Sequence, residues 1–555
     1  MRERRIGILA VLAAAMTILL SGCVSIPTTG DVTAGREVSE QEPGPIEFFT
    51  EGPIAGADQE TILRGFVAAF SGSGNYEVAR QFLSRSLAEK WDPRASVLVR
   101  TGTPRMTPVD EDTIEYFVTA NAAVDAQGVY ATFPAASQAM SFSFVQEQGE
   151  WRINAAPDGI VLSSRTFTDL FAEHALYFYD LSREHFVPDL RWFPTGAAPT
   201  KIVSALLEGP PPWLQGAVTT AFPSGTQLTS PKRVSVDSGL AVVDLTPEAL
   251  IAPEPDRQLM RNQLRASLAK VASGVSISVG GTELALGQGD PMPMPRPHEG
   301  RALVLRTGEF GYFAGAEVVP LDGLSTTIAG MAPRSVTVSN DGSAAVLAND
   351  AGVYQVGTRL SEPRLIDGRA GLVDPGLDNF GFAWSGAGNA PETLRVFDRD
   401  GFATDIPTGI PADTTLVAFE VSPDGARIAL LVNGSTGARV LVAGVVRDAG
   451  RAWQPTTLGP VKLDAVIDEG QGVDVTWIDE VSVGTVTASG SGALISSFEV
   501  GGIKTALGEI EGAAGIVGAH SAKNLRVITA DGLVFTQRGA SWQPGARVSV
   551  LARQL

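Results

Sequence analysis

The chain has 555 residues, 44% of them hydrophobic and 19% charged, a balance that folds and does not suit a disordered stalk. Its formal net charge of −19 repels phosphate backbones and anionic headgroups, which excludes nucleic-acid binding. The length carries three or four domains, and the single cysteine excludes an intramolecular disulfide and any CxxC metal or redox site.

Arg2, Arg4 and Arg5 form a basic head, and Ile6 to Leu20 form an apolar run of 15 residues. That run is short of the ~20 residues needed to span a bilayer, and it suits the core of a secretory signal. Leu20, Ser21, Gly22 and Cys23 follow, and they resemble the bacterial lipobox. Small side chains at Ser21 and Gly22 admit a peptidase, and the Cys23 thiol is the nucleophile that takes a diacylglycerol. The reading is a signal peptide over 1–22 and a lipid anchor at Cys23, with everything beyond it on the extracytoplasmic face of the cell membrane. Two acyl chains at ~0.8 kcal/mol per buried methylene hold such a protein durably. Losing the first 22 residues, with three Arg and one Glu, brings the mature charge to about −21. Residues 23–52 are rich in Gly, Pro, Thr and Glu without an apolar period, and they read as a flexible tether with a reach of ~25–30 Å.

Residues 53–165 form the first body. Asp58 caps a helix with Ile62, Phe66, Ala69 and Phe70 on one face, and a second helix starts at Tyr76. Strands follow at Ile114–Val118, Val129–Phe133 and Ser141–Val145, and Gln148-Gly149-Glu150 turns the chain into Trp151-Arg152-Ile153. Helices followed by a curved meander resemble NTF2-like α+β domains.

Residues 173–287 form the second body. Ala175–Tyr179 opens it as a strand, and Pro199–Leu207 is a helix stopped by Glu208-Gly209-Pro210. A hairpin joins Lys232–Asp237 to Leu240–Leu245 across Asp237-Ser238-Gly239, with Val234, Val236, Ala241, Val243 and Leu245 on one side. A helix over Pro255–Val271 carries Met260, Leu264 and Leu268, and Val275, Ile277 and Val279 alternate in a last strand. The Leu206-Leu207-Glu208-Gly209-Pro210 run, the Phe222-Pro223-Ser224-Gly225-Thr226 turn and the strand ending Val243-Asp244-Leu245 are similar to a GerMN domain. That resemblance implies a non-enzymatic α/β module of exported bacterial proteins.

A Pro-rich linker over 288–299 leads to the third body, 300–555. Strand, Asp-Gly turn, strand recurs at Asp341-Gly342 and Asp424-Gly425, with Trp384 and Trp477 in related strands. The markers step by 43, 40 and 53 residues, a blade-sized all-β period that predicts a propeller of five or six blades. The Asp-Gly pairs read as turn chemistry rather than metal ligands, because no DxDxDG run accompanies them.

The predicted fold is therefore multidomain: an N-terminal α+β NTF2-like domain, an α/β GerMN domain and a C-terminal all-β propeller. In that order behind a lipobox, the three are similar to the LpqB family of actinobacterial lipoproteins. The resemblance implies an accessory protein that binds and modulates the extracytoplasmic domain of a sensor histidine kinase (MtrB-like) in a two-component system, linked to cell-wall homeostasis and division.

No enzyme motif competes. The four histidines, His174, His185, His298 and His520, form neither HExxH nor a close pair, and they read as surface, strand-end or linker residues. There is no G-x-S-x-G elbow and no P-loop, so no catalytic residue, metal ligand or cofactor is assigned. Two of the 61 acidic residues converging in space would allow a wall hydrolase, and a cell-wall-binding scaffold is the other alternative. Trp213, beside the stiff Pro210-Pro211-Pro212, is the candidate interface anchor, while the other tryptophans in apolar segments read as core.

Overall fold

Asp58 opens the first helix as expected. In the computed structural model, its Oδ1 accepts the Thr61 amide at 2.8 Å, and helix Gln59–Ala68 buries Ile62, Leu63 and Phe66. The structure describes residues 51–72, 76–286 and 301–555, except 316, 436, 468, 469, 491 and 519–523. The signal peptide, the lipobox, the tether up to residue 50, the linker, His298 and His520 lie outside the described residues. No helix among the described residues is long and apolar enough to cross a membrane.

The helix expected from Tyr76 is two short ones, Glu77–Gln81 and Arg85–Ala88. The strand Glu150–Ala155 explains the break: the Ile153 amide donates to Phe82 O at 2.9 Å and Ile153 O accepts from the Ser84 amide at 2.7 Å. That backbone pairing takes the groups a continuous helix would use. Strands β1 (Ser96–Pro108), β2 (Thr113–Asp125), β3 (Tyr130–Glu147), β4 (Glu150–Ala155) and β5 (Ile160–Ser163) form one sheet in the order β4-β3-β2-β1-β5, with β1 and β5 parallel. The two strands expected at Val129–Phe133 and Ser141–Val145 are one, β3, and β1 carries no clear alternation that would announce it. Gln148 and Gly149, at φ 55° and 82°, make the tight β3–β4 turn.

Strands β6 (Phe171–Asp180), β7 (Phe186–Pro194) and β8 (Val218–Thr219) form a three-stranded sheet in the order β7-β6-β8. Helix Ala198–Leu207 buries Ile202, Val203 and Leu206, and helix Glu254–Leu268 buries Met260, Leu264 and Leu268. They pack on a second sheet, β9 (Ser235–Asp237), β10 (Leu240–Leu245), β11 (Gly274–Val279) and β12 (Thr282–Glu283), with β10 and β11 parallel. The hairpin turn falls at Ser238 and Gly239, both at positive φ. One side chain departs from expectation: Val236 is exposed, because β9 is a three-residue edge strand.

Residues 301–555 form six four-stranded blades among the described residues. Blades two to six run Ser335–Asp367, Gly376–Pro407, Thr415–Ile467, Gln471–Glu511 and Ala513–Arg547. Blade one takes three strands from Leu303–Val319 and its innermost strand, Val550–Gln554, from the far end of the ring. That strand pairs antiparallel with Leu303–Leu305 and parallel with Thr337–Val338, which closes the circle and removes the inner edges. The Asp-Gly markers are turns. Asp341 accepts the Ser343 amide at 3.0 Å and Asp424 the Ala426 amide at 2.9 Å, with Gly342 and Gly425 at positive φ. Asp378 and Asp479 make the same kind of turn in blades three and five.

Candidate functional site

Strand β7 is where the three bodies meet. It is short and mixed, Phe186-Val187-Pro188-Asp189-Leu190-Arg191-Trp192-Phe193-Pro194, and its alternation is obscured because both faces are covered. Asp189 is fully buried. It accepts from Trp213 Nε1 at 2.9 Å and from Arg191 Nε at 2.5 Å, and Lys462 Nζ of blade four stands 3.4 Å away. Arg191 Nη1 also donates to Gln127 O, in the β2–β3 turn of the first body, at 2.8 Å. One carboxylate thus ties blade four, the second body and the first together.

Trp192 repeats the pattern. Its amide donates to Gly128 O at 2.8 Å, and its Nε1 donates to Gly501 O of blade five at 3.1 Å. Its ring packs on Phe167 and Tyr130, at 5.0 and 5.5 Å between centroids. Gly128, at φ 80°, has no room for a side chain: a Cβ would lie 2.6 Å from the Phe193 ring. The apolar core of the second body runs without a break into blades four and five, through Leu431, Val442, Trp477 and Val500.

The electrostatics of the junction follow from who serves whom. Asp189 faces two cations and an indole N–H; burial opposes its charge, but these partners together hold its carboxyl below the usual range. Lys462 has Asp189 as its ion-pair partner, with Asp125 and the Trp213 ring face as weaker support, and is repelled by Arg191. Burial is its largest influence, and the ammonium is pushed below its ordinary value. Tyr177 on β6 adds a bond to Glu480 of blade five, where burial and that carboxylate raise its phenol pKa.

Trp213, the expected interface anchor, is 5% exposed. It folds onto its own chain, with its carbonyl oxygen laid against Gly444 and Gly459 of blade four, where a Cβ would approach to 2.3 and 2.8 Å. The contact it makes is therefore intramolecular. The sequence signal for this was the glycines on two adjacent strands, which mean nothing until the strands are paired.

The histidines also depart from a surface reading. His174 is buried with both ring nitrogens unpaired, and burial, with Lys270 nearby, lowers its pKa to about 4, so the ring is neutral. His185 is half-buried between the second body and blade three, with Nδ1 3.3 Å from Asp180 and 3.4 Å from Asn379 Nδ2. The hydrogen bond to Asp180 is the main cause that raises its pKa.

A second buried charge cluster lies at the centre of the ring. Arg553 of the closing strand reaches Asp474 on the inner strand of blade five at 2.6 Å and Glu420 on that of blade four at 3.4 Å. Burial pushes the Glu420 carboxyl up to about 7, against the pull of Arg553. The cavity beside it holds about 10 Å³, room for one water. The cluster joins the closing strand to the inner strands of blades four and five. No grouping of three or more metal-ligating side chains occurs among the described residues. The lipobox residues Leu20, Ser21, Gly22 and Cys23 lie outside the described residues.

Three family models match successive stretches of the chain. The model described as "Lipoprotein LpqB, N-terminal domain" matches residues 52–168, "Sporulation and spore germination" matches 175–285, and "Lipoprotein LpqB beta-propeller domain" matches 308–551. Proteins called "Lipoprotein LpqB" are similar to the chain. That of Cutibacterium acnes is 29% identical over 55% of this chain and 54% of its own length. The Bifidobacterium longum protein is 25% identical over 79% of this chain and 78% of its own, and the Streptomyces coelicolor protein 26% over 84% of each. The match thus spans about half the length of the first relative and about four-fifths of the other two.

Proposed function

Because the chain belongs to the LpqB lipoprotein family, we propose that it is a membrane-anchored extracytoplasmic adaptor that binds and modulates an MtrB-like sensor histidine kinase, in a pathway linked to cell-wall homeostasis and division. Cys23 carries the diacylglycerol in this reading, and the acidic body stands off the membrane on its tether. Anchoring raises the effective concentration at a membrane-embedded kinase, so a modest intrinsic affinity suffices.

The observation that supports it best is the junction at β7. The second body and blades four and five share one core, and the first body is tied to the same strand. A body of this kind presents several surfaces in a fixed mutual arrangement. Such a body shifts a kinase between states by fitting one of them better than the other. Asp189, Arg191 and Trp192 are engaged in holding the bodies together, and no catalytic role is assigned to them.

The test is binding of the full chain, solubilised in detergent, to the purified kinase ectodomain. Saturable binding is expected. No detectable binding at high micromolar concentration removes the adaptor reading, and co-sedimentation with purified cell wall in its place would favour a wall scaffold.

A further inference from the structure

Between blades five and six the ring carries an open groove of about 790 Å³. Its lining from blade six is mostly the 529–535 turn, and the outermost strands of the two blades, Lys504–Glu511 and Ser541–Arg547, add residues 508–511 and 541–542. Each lies at the end of its sheet and leaves one edge of backbone N–H and C=O groups unpaired by a neighbouring strand. Trp542 and Phe535 line the floor, half-buried, and Trp542 Nε1 donates to Leu507 O at 2.8 Å, which fixes the indole across the gap.

The rim is acidic. Glu509 and Glu511 are exposed and have no hydrogen-bond or ion-pair partner among the described residues; Asp531 is paired with Arg547. Two free carboxylates over an aromatic floor favour a cation, since charge attracts it to the rim and the ring face attracts it to the floor. They disfavour phosphate or any anionic polymer. The free edge of Lys504–Glu511, which borders the groove along residues 508–511, favours a partner with a backbone of its own, because an extended peptide can hydrogen-bond to it while its side chains reach the rim.

We propose that this groove binds an extended, lysine- or arginine-bearing segment of a protein partner. This goes beyond the kinase-binding reading and stands or falls apart from it, since the groove would take such a segment whichever protein carries it.

The test uses the full chain in detergent and a fluorescent hexalysine peptide, followed by anisotropy at low salt. The double variant Glu509→Gln, Glu511→Gln removes two exposed charges at the groove, and Asp237→Asn, Glu283→Gln removes two on the second body. The groove variant is expected to weaken binding about fivefold to tenfold, as two modest exposed ion pairs would, and the control less than twofold. Unchanged melting of both variants shows that they fold. Equal weakening by the two variants, no saturable binding to the unaltered chain, or displacement of the peptide by a lower concentration of an amine-bearing wall glycan would each overturn the proposal.

Discussion

Lysine at position 462 is costly where it stands, and this gives an asymmetric prediction. At 3.4 Å from Asp189, with an effective dielectric of ~20, the attraction is about 5 kcal/mol before desolvation. Burial outweighs that attraction for Lys462, whose pKa falls, and Arg191 repels it further. Replacing Lys462 by Met keeps most of the packing, removes the buried ammonium and leaves Asp189 its bonds to Arg191 and Trp213. The expected cost is within about 1 kcal/mol of zero, with either sign. Replacing Asp189 by Asn strands two buried cations without their counter-charge and should cost about 3–5 kcal/mol. The assay is urea unfolding of the full chain, with hydrogen exchange at Gln127–Gly128 and Gly501 reporting whether the junction opens before the bodies unfold. If Lys462→Met proves as damaging as Asp189→Asn, the account of the junction as one carboxylate serving unequal partners is wrong.

Other outcomes follow from the same structure. Gly128→Ala forces a side chain at positive φ against the Phe193 ring, so about 1–3 kcal/mol should be lost, with faster exchange in the β2–β3 turn than in the propeller. Trp192→Phe keeps the stacking but removes the bond to Gly501 O; a loss of about 1 kcal/mol and increased proteolysis near Gly501 would check it. Glu420 has a raised folded value, so the fold holds its proton between about 4.5 and about 7 while the unfolded chain releases it. Propeller stability should then decline by on the order of 3 kcal/mol as pH rises through that window, and Glu420→Gln should flatten the profile. His185 is raised by Asp180, so its contribution is present below pH 6.5 and fades as pH climbs through the folded value; His185→Gln should remove that part of the thermal-melting profile.

Elements whose pattern repeats along the chain were legible in the sequence. The helix with Met260, Leu264 and Leu268 needs only its own spacing, and so does the β9–β10 hairpin. The blades could be seen because Asp341-Gly342 and Asp424-Gly425 recur at a blade's length, and because turn chemistry is local. The family resemblance rested on such local motifs too. By contrast β7 escaped notice, since a strand covered on both faces shows no alternation, and so did the fusion of two expected strands into β3.

The junction depends on partners far apart in the chain. Asp189 meets Lys462 across 273 positions and Trp192 meets Gly501 across 309, and no spacing rule connects residues at that range. Trp213 shows the difference most directly. Its sequence context, a tryptophan beside three prolines, suits an exposed anchor, and only the pairing of the strands that hold Gly444 and Gly459 side by side turns it inward. Local periodicity and turn chemistry fixed the kinds of element and their order. Which polar groups are buried together, and therefore what binds the bodies to one another, was decided by tertiary packing, because the cost of an unpaired buried charge can be met only by a partner that folding brings within reach.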